Sequence, residues 1–192
     1  MRSPKPLSSY VSGEALGRDR KADRVKTDGS GFEQLVREHQ SMVFSIAYRF
    51  LHDRAVAEEL AQDAFLKLYH QMGQMESAEH VKFWLRRVIA HRAMDHARCV
   101  HRRREVALDD VQEPVSPVDS RDPLLERGLR KLVASLPEEA RMIVVLRYEE
   151  DMEPHEIAQT LSIPVATVKS RLRRTLVLLR GKAQRLIGET VR

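Results

Sequence analysis

The apolar residues of this chain recur every three or four positions, and that spacing commits it to helices. Phe32, Leu35, Val36, Val43, Ile46, Ala47, Phe50 and Leu51 fall on one stripe. His52-Asp53 interrupts it. A second stripe follows over about 55–69, with Leu60, Ala61, Ala64, Phe65 and Leu68 as its apolar face. A third runs over about 81–98, with Trp84, Leu85, Val88 and Ile89 inward. Between them, residues 70–80 carry Gly73 and no period, which predicts a loop. The sequence offers no strand pairs and no internal repeat.

The pattern stops between Glu105 and Pro123. Here stand six acidic residues (Glu105, Asp109, Asp110, Glu113, Asp119, Asp122) and one basic residue, Arg121. Pro114, Pro117 and Pro123 forbid a continuous helix, so the stretch reads as a linker. Helical spacing returns with Leu124, Leu125, Leu129, Leu132, Val133 and Leu136. Pro137 then suits a helix start, and Glu138 and Glu139 suit the positive end of its dipole. That helix runs to about Tyr148 through Ile143, Val144 and Leu146. Two more cover about 153–161 and 165–187, separated by Ser162-Ile163-Pro164. The expected fold is all-α: two small helical domains, 31–104 and 124–187, joined by a flexible acidic linker over 105–123. A flexible arm over 1–30 precedes them and a tail over 188–192 follows.

Composition narrows the function classes. Aromatic residues are only 5% of the chain, which disfavours a large β-sandwich. The single cysteine, Cys99, rules out an intrachain disulfide and a cysteine-rich zinc site. No stretch approaches the roughly 18 apolar residues of a membrane span, and no signal peptide is evident. A cytoplasmic chain without membrane insertion is expected. His91 and Asp95 share a helix face, but His96 points elsewhere and no third ligand presents itself. Neither an enzyme nor a metal or cofactor site is therefore expected.

Charge is informative by its placement. The net charge of +5 is modest. From Thr167 to Arg185, however, there are seven basic residues and no acidic one. They follow the layout of a helix-turn-helix over 153–174. Ile157, Ala158 and Leu161 form the inner face of its first helix, Ile163 packs in the turn, and Val168 and Leu172 anchor the second helix. Thr167, Lys169, Ser170, Arg171, Arg173 and Arg174 are left on exposed faces, suited to the edges and phosphates of a duplex major groove. A solvated helix face usually mixes charge signs, and this one does not. A second basic cluster spans Val81 to Arg104, where eight basic side chains accompany one acid, Asp95. Phe83 and Trp84 are interleaved with it, which suits opened DNA, although Trp84 also suits the core. The arm over 1–30 has seven basic and four acidic residues and reads as a solvated tail.

Four segments in order carry a family resemblance: Ala57–Tyr69, Phe83–Arg98, Leu136–Arg141 and the helix-turn-helix. Together they resemble the extracytoplasmic-function (ECF) group of sigma-70-type sigma factors, over about residues 32–180. The resemblance implies that the chain binds bacterial core RNA polymerase through Glu58, Glu59, Gln62, Asp63 and Leu66. It implies melting and reading of the promoter −10 element by the loop at 70–80 and by Lys82, Arg86, Arg87, His91, Arg92 and Asp95. The −35 element would fall to Thr167, Lys169, Ser170, Arg171 and Arg174. The acidic linker would thread positively lined polymerase channels, and an anti-sigma factor is an expected partner. Three departures from the family pattern stand out: Glu59 where Asp is usual, His91 where Asn is usual, and Ala166 where Gly is usual. The competing reading is a stand-alone helix-turn-helix regulator, which leaves residues 32–104 without a task.

Overall fold

A computed structural model of the chain describes the backbone at residues 29–107, 128 and 131–190, and side chains at 30–103, 128 and 131–184. The expected arm lies almost wholly outside these residues, as do most of the expected linker and the chain end at 191–192. The described residues are helical, with no strand among them.

Helix α1 spans Gly29–Leu51. It ends where His52 takes a left-handed φ of 56°, which the chain tolerates as a single residue at a helix end. Asp53 then starts α2, Arg54–Gln71, because its carboxylate accepts the Val56 N–H at 3.1 Å. This satisfies one of the orphan amides of the new helix. A 3₁₀ turn, Met72–Gln74, carries the chain onward. The Ser77 hydroxyl accepts the His80 N–H at 3.1 Å and starts α3, Ala78–Ala107. Only residues 75–77 separate the 3₁₀ turn from α3. The loop expected over 70–80 is thus shorter than its composition suggests: Met72 and Met75 are buried and tie the turn to the core. Helix α3 also outruns its expected end near Arg98 and enters the stretch read as linker. No proline stands before Pro114 to stop it.

Gly128 and residues 131–134 are helical; the remainder of the helix expected from Leu124 lies outside the described residues. Helix α4, Glu138–Tyr148, starts after Pro137 with both carboxylates in its first turn, as expected. Helix α5, Pro154–Leu161, opens with a capping box: Glu153 and Glu156 satisfy each other's backbone amides. It closes at Ser162, again left-handed, and the Ile163 N–H donates to the Ala158 carbonyl at 3.0 Å. Helix α6, Val165–Thr190, follows Pro164.

Helices α1, α2 and α3 pack together, and α4, α5 and α6 form a second group. Most residues of the expected apolar stripes are buried, while Phe32, Val36, Leu51 and Val88 are partly buried against them; Met142 and Val145 are added in α4. The two groups are not separate in the structure. Their buried residues join into one apolar cluster, with α1 and α3 packed against α4 and α5. Phe50 is fully buried at this seam. The guanidinium of Arg141 lies 4.8 Å from its ring centre and donates to its carbonyl oxygen at 3.2 Å.

Candidate nucleic-acid interface

Three surfaces hold the residues singled out from the sequence. On α2, Glu59, Gln62 and Leu66 follow one another at three- and four-residue steps, with Glu58 beside Glu59, and form one exposed ridge. Leu66 is 58% exposed and Tyr69, next along the ridge, is 56% exposed. Glu58 pairs with Arg54 at 2.8 Å. The exposed leucine and tyrosine lie at one end of this ridge and the two carboxylates at the other, a patch suited to a protein surface with a basic and an apolar part. Asp63 does not share this position. It is half-buried and pairs with Arg92 of α3, so it fastens the two helices to each other.

The side chains of α3 are largely committed. Arg86 pairs with Glu150 at 3.2 Å, and both side chains are nearly buried, at 14% and 10% exposure. Burial pushes the Glu150 carboxyl above its ordinary range, and the hydrogen bond and charge of Arg86 oppose that push. The His91 ring lies with Nε2 3.2 Å from the Thr160 carbonyl oxygen of α5. A carbonyl only accepts, so Nε2 carries the proton and donates. Burial lowers the His91 pKa, and Arg87 adds to the lowering. Asp95 pairs with Arg98 at 3.2 Å, and Arg98 reaches across to Glu138 at 3.3 Å and Glu139 at 3.7 Å. Lys82 is exposed and Arg87 half-buried, while Arg102 and Arg103 extend the basic surface into solvent. Trp84 is only 8% exposed and packs in the core, so stacking on unpaired bases does not fall to it.

The helix-turn-helix is built as its apolar residues dictate. Ile157, Ala158, Leu161, Val168 and Leu172 are buried, and Ile163 packs on them from the turn. Lys169, Arg173 and Arg174 are exposed on α6; Thr167 and Ser170 are half-buried, with the Ser170 hydroxyl donating to the Thr167 carbonyl at 3.0 Å. Arg171 turns back onto Glu139 at the start of α4.

Glu139, Glu150 and Thr160 thus engage residues expected to meet DNA, and sequence reasoning missed all three in this role. Glu138 and Glu139 were legible as dipole partners, but nothing in the sequence links Glu139 to an arginine 32 positions away. Among the described residues, no three His, Cys, Asp or Glu side chains are grouped to hold a metal. None of the described helices is long and apolar enough to cross a membrane.

The chain matches the Sigma-70 region 2 family over residues 35–104 and the Sigma-70, region 4 family over residues 126–179. It is 28% identical over 177 residues to the RNA polymerase sigma-H factor of Pseudomonas aeruginosa, covering 84% of this chain and 91% of that one. It is 27% identical over 176 residues to the ECF RNA polymerase sigma factor SigW of Bacillus subtilis, covering 84% and 93%. Its fold resembles that of the sigma factor RpoE from Bartonella quintana, solved in complex with the anti-sigma factor NepR, with a TM-score of 0.68 at 19% identity over 80% of this chain and 96% of that one. CnrH, solved with the cytosolic domain of CnrY, gives a TM-score of 0.59 at 19% identity, over 82% and 90%. With both family regions present in order and relatives aligned nearly end to end, the chain belongs to the ECF group of the sigma-70 family, the sigma factors that direct promoter-specific transcription.

Proposed function

We propose that the work of this sigma factor is divided among three surfaces. The α2 ridge of Glu58, Glu59, Gln62 and Leu66 docks on core RNA polymerase. Leu66 supplies the apolar contact, and the carboxylates meet a basic surface. Asp63 contributes by holding α2 to α3 through Arg92. The α3 surface with Lys82, Arg86, Arg87, His91 and Arg92, together with the turn before it, takes the −10 element. Helix α6 takes the −35 element through Thr167, Lys169, Ser170, Arg171 and Arg174. These assignments follow domains at 31–104 and 124–187 with an acidic connection between them. Recognition and strand opening belong to this chain, and the chemistry belongs to the polymerase. An anti-sigma partner is part of the same proposal, because the family is commonly restrained in that way. The stand-alone regulator is not favoured, since the region 2 match gives residues 35–104 a task of their own.

The observation that carries the reading is that Leu66 and Tyr69 stand exposed at one end of a ridge that carries Glu58 and Glu59 at the other, while Leu60, Phe65 and Leu68 of the same helix are buried. Burying a leucine contributes ~1.5–3 kcal/mol, so Leu66→Glu is expected to weaken core polymerase binding by more than ~10-fold. Co-elution of the purified chain with bacterial core polymerase on a sizing column checks this. Undiminished co-elution of Leu66→Glu would remove α2 as the docking ridge.

A further inference from the structure

Two helices keep a face that their own chain does not cover. Helix α2 packs on α1 and α3, and α6 packs on α4 and α5. The outer face of α2 carries Glu58, Gln62, Leu66 and Tyr69, at steps of four, four and three residues, all exposed. The outer face of α6 carries Lys169, Arg173, Val177 and Arg180 at the same steps, again all exposed. From this match we infer that the chain pairs with a second copy of itself, α2 of one copy lying parallel to α6 of the other. What the pairing withholds rests on the sigma reading; the pairing does not.

The two series agree in length and in chemistry. Each spans eleven residues, ~16 Å of axis at 1.5 Å per residue, so all four pairs meet in one register. Glu58 meets Lys169, and Gln62 offers its amide oxygen to Arg173. Leu66 meets Val177, which is 69% exposed, while Leu176 and Leu178 at 43% and 46% widen the apolar part. The Arg180 guanidinium meets the Tyr69 ring, which Phe32 steadies edge-on at 5.1 Å between ring centres. Turned antiparallel, the same faces would set Leu66 against Arg173 and Gln62 against Val177. The parallel direction is the matched one.

Charge selects the unlike pairing over the like one. Two α6 faces would bring lysine and arginine together with no acid among them, since none stands between Thr167 and Arg185. The contact is therefore heterologous, made by different surfaces of the two copies. Glu58 also holds Arg54 at 2.8 Å, but both are exposed and such a pair contributes little, so Glu58 is readily shared. One pair of helix faces buries less than the roughly 1,200–2,000 Å² of a stable interface, so the association is weak and reversible. It would cover the polymerase ridge of one copy and Lys169 of the other. Surplus factor would then stand idle at high concentration, and core polymerase would displace it.

The test is sedimentation equilibrium of the full chain over a range of concentrations, without polymerase. The parent's mass should rise with concentration, and less so at high salt. Leu66→Glu and Val177→Glu should each weaken association by at least ~10-fold, because each puts a charge where an apolar side chain is buried. Mixed together, the two variants should associate again, since the first keeps its α6 face and the second its α2 face. A parent that stays monomeric at every concentration overturns the pairing. So does a loss confined to one of the two variants, which would mean that like faces meet, or a mixture no more associated than its components. Should either variant lose helicity by circular dichroism, Glu58→Lys and Lys169→Glu take their place, with the same weakening and the same rescue on mixing. Association lost in Leu66→Glu beside undiminished co-elution with core polymerase would count against the docking ridge and not against the pairing.

Discussion

At the scale of single residues, His91 is the most telling departure from the family pattern. An asparagine there would be neutral at all pH values, whereas the histidine brings a titration into the domain contact. Its proton on Nε2 meets the Thr160 carbonyl, and the charges nearest to it are Arg87, Asp95 and Arg98. Burial and Arg87 lower its pKa from the ordinary 6.5 in the closed chain. A group whose pKa falls on closure binds its proton more tightly when open. Its contribution to closure is therefore complete above pH 6.5 and is lost as pH falls through the lowered value. Acidification below 6.5 should open the chain, read as falling energy transfer, and His91→Gln should flatten that part of the profile. A His91 imidazole resonance titrating at 6.5 or above in the closed chain would contradict this. Glu150 acts in the opposite sense, because its raised pKa makes protonation favour closure, so the His91→Gln comparison is needed to isolate the histidine. Arg171 supplies a separate check. If it reads the −35 element after leaving Glu139, Arg171→Ala should weaken promoter binding by the polymerase complex by ~1–3 kcal/mol while core co-elution is unchanged. Equal loss of both would break the division between α2 and α6.

At the scale of elements, the sequence was legible wherever local chemistry decides the outcome. The apolar stripes, Pro137 with its two glutamates, and the Ser162-Ile163-Pro164 break all specify helices or stops within a few residues of chain. The Asp53 cap is of the same local kind. Asp53→Ala should cost α2 ~0.5–2 kcal/mol, and Asp53→Asn should retain most of it. For a chain of this size each kcal/mol corresponds to a melting temperature lowered by ~2–4 °C, which calorimetry would resolve. Equal melting of the two variants would mean that the cap hydrogen bond does not hold α2. Two elements were misjudged for physical reasons. Residues 70–80 lack period because a 3₁₀ turn has no 3.6-residue repeat, yet Met72 and Met75 bury it. The third stripe was given an end near Arg98, but Arg102, Arg103 and Arg104 that follow it propagate a helix well. At the candidate site, residue types and helix faces were readable from spacing. Partners were not, because Arg86–Glu150 and His91–Thr160 join positions 64 and 69 apart, which no local pattern encodes.

At the scale of the whole molecule, the seam between the two helical groups bears on any partner that would hold them apart. A ligand shifts an equilibrium only by its differential affinity for the two states. If polymerase holds the domains apart, it binds the open form, and its apparent affinity is reduced by the fraction of chains that are open. A seam strong enough to keep the two groups mostly together would then weaken core binding, and breaking its Arg86–Glu150 pair should restore that loss. Glu150→Arg should bind core polymerase more tightly than the parent, by a factor approaching the inverse of the parent's open fraction. The exchange Arg86→Glu/Glu150→Arg, which has the parent's net charge, should return toward parental affinity and so separate opening from simple charge gain. Leu66→Glu acts on the docking ridge and not on the seam. Its penalty should be the same with the Arg86–Glu150 pair intact or broken, as expected for sites without shared partners. Titration of dye-labelled chain with core polymerase measures all four variants. Should Glu150→Arg open the chain yet bind core with parental affinity, polymerase accepts the closed form and opening belongs to the later promoter step. Tighter binding would place the parting of the seam at the assembly step, where chains with the two groups together compete poorly for polymerase.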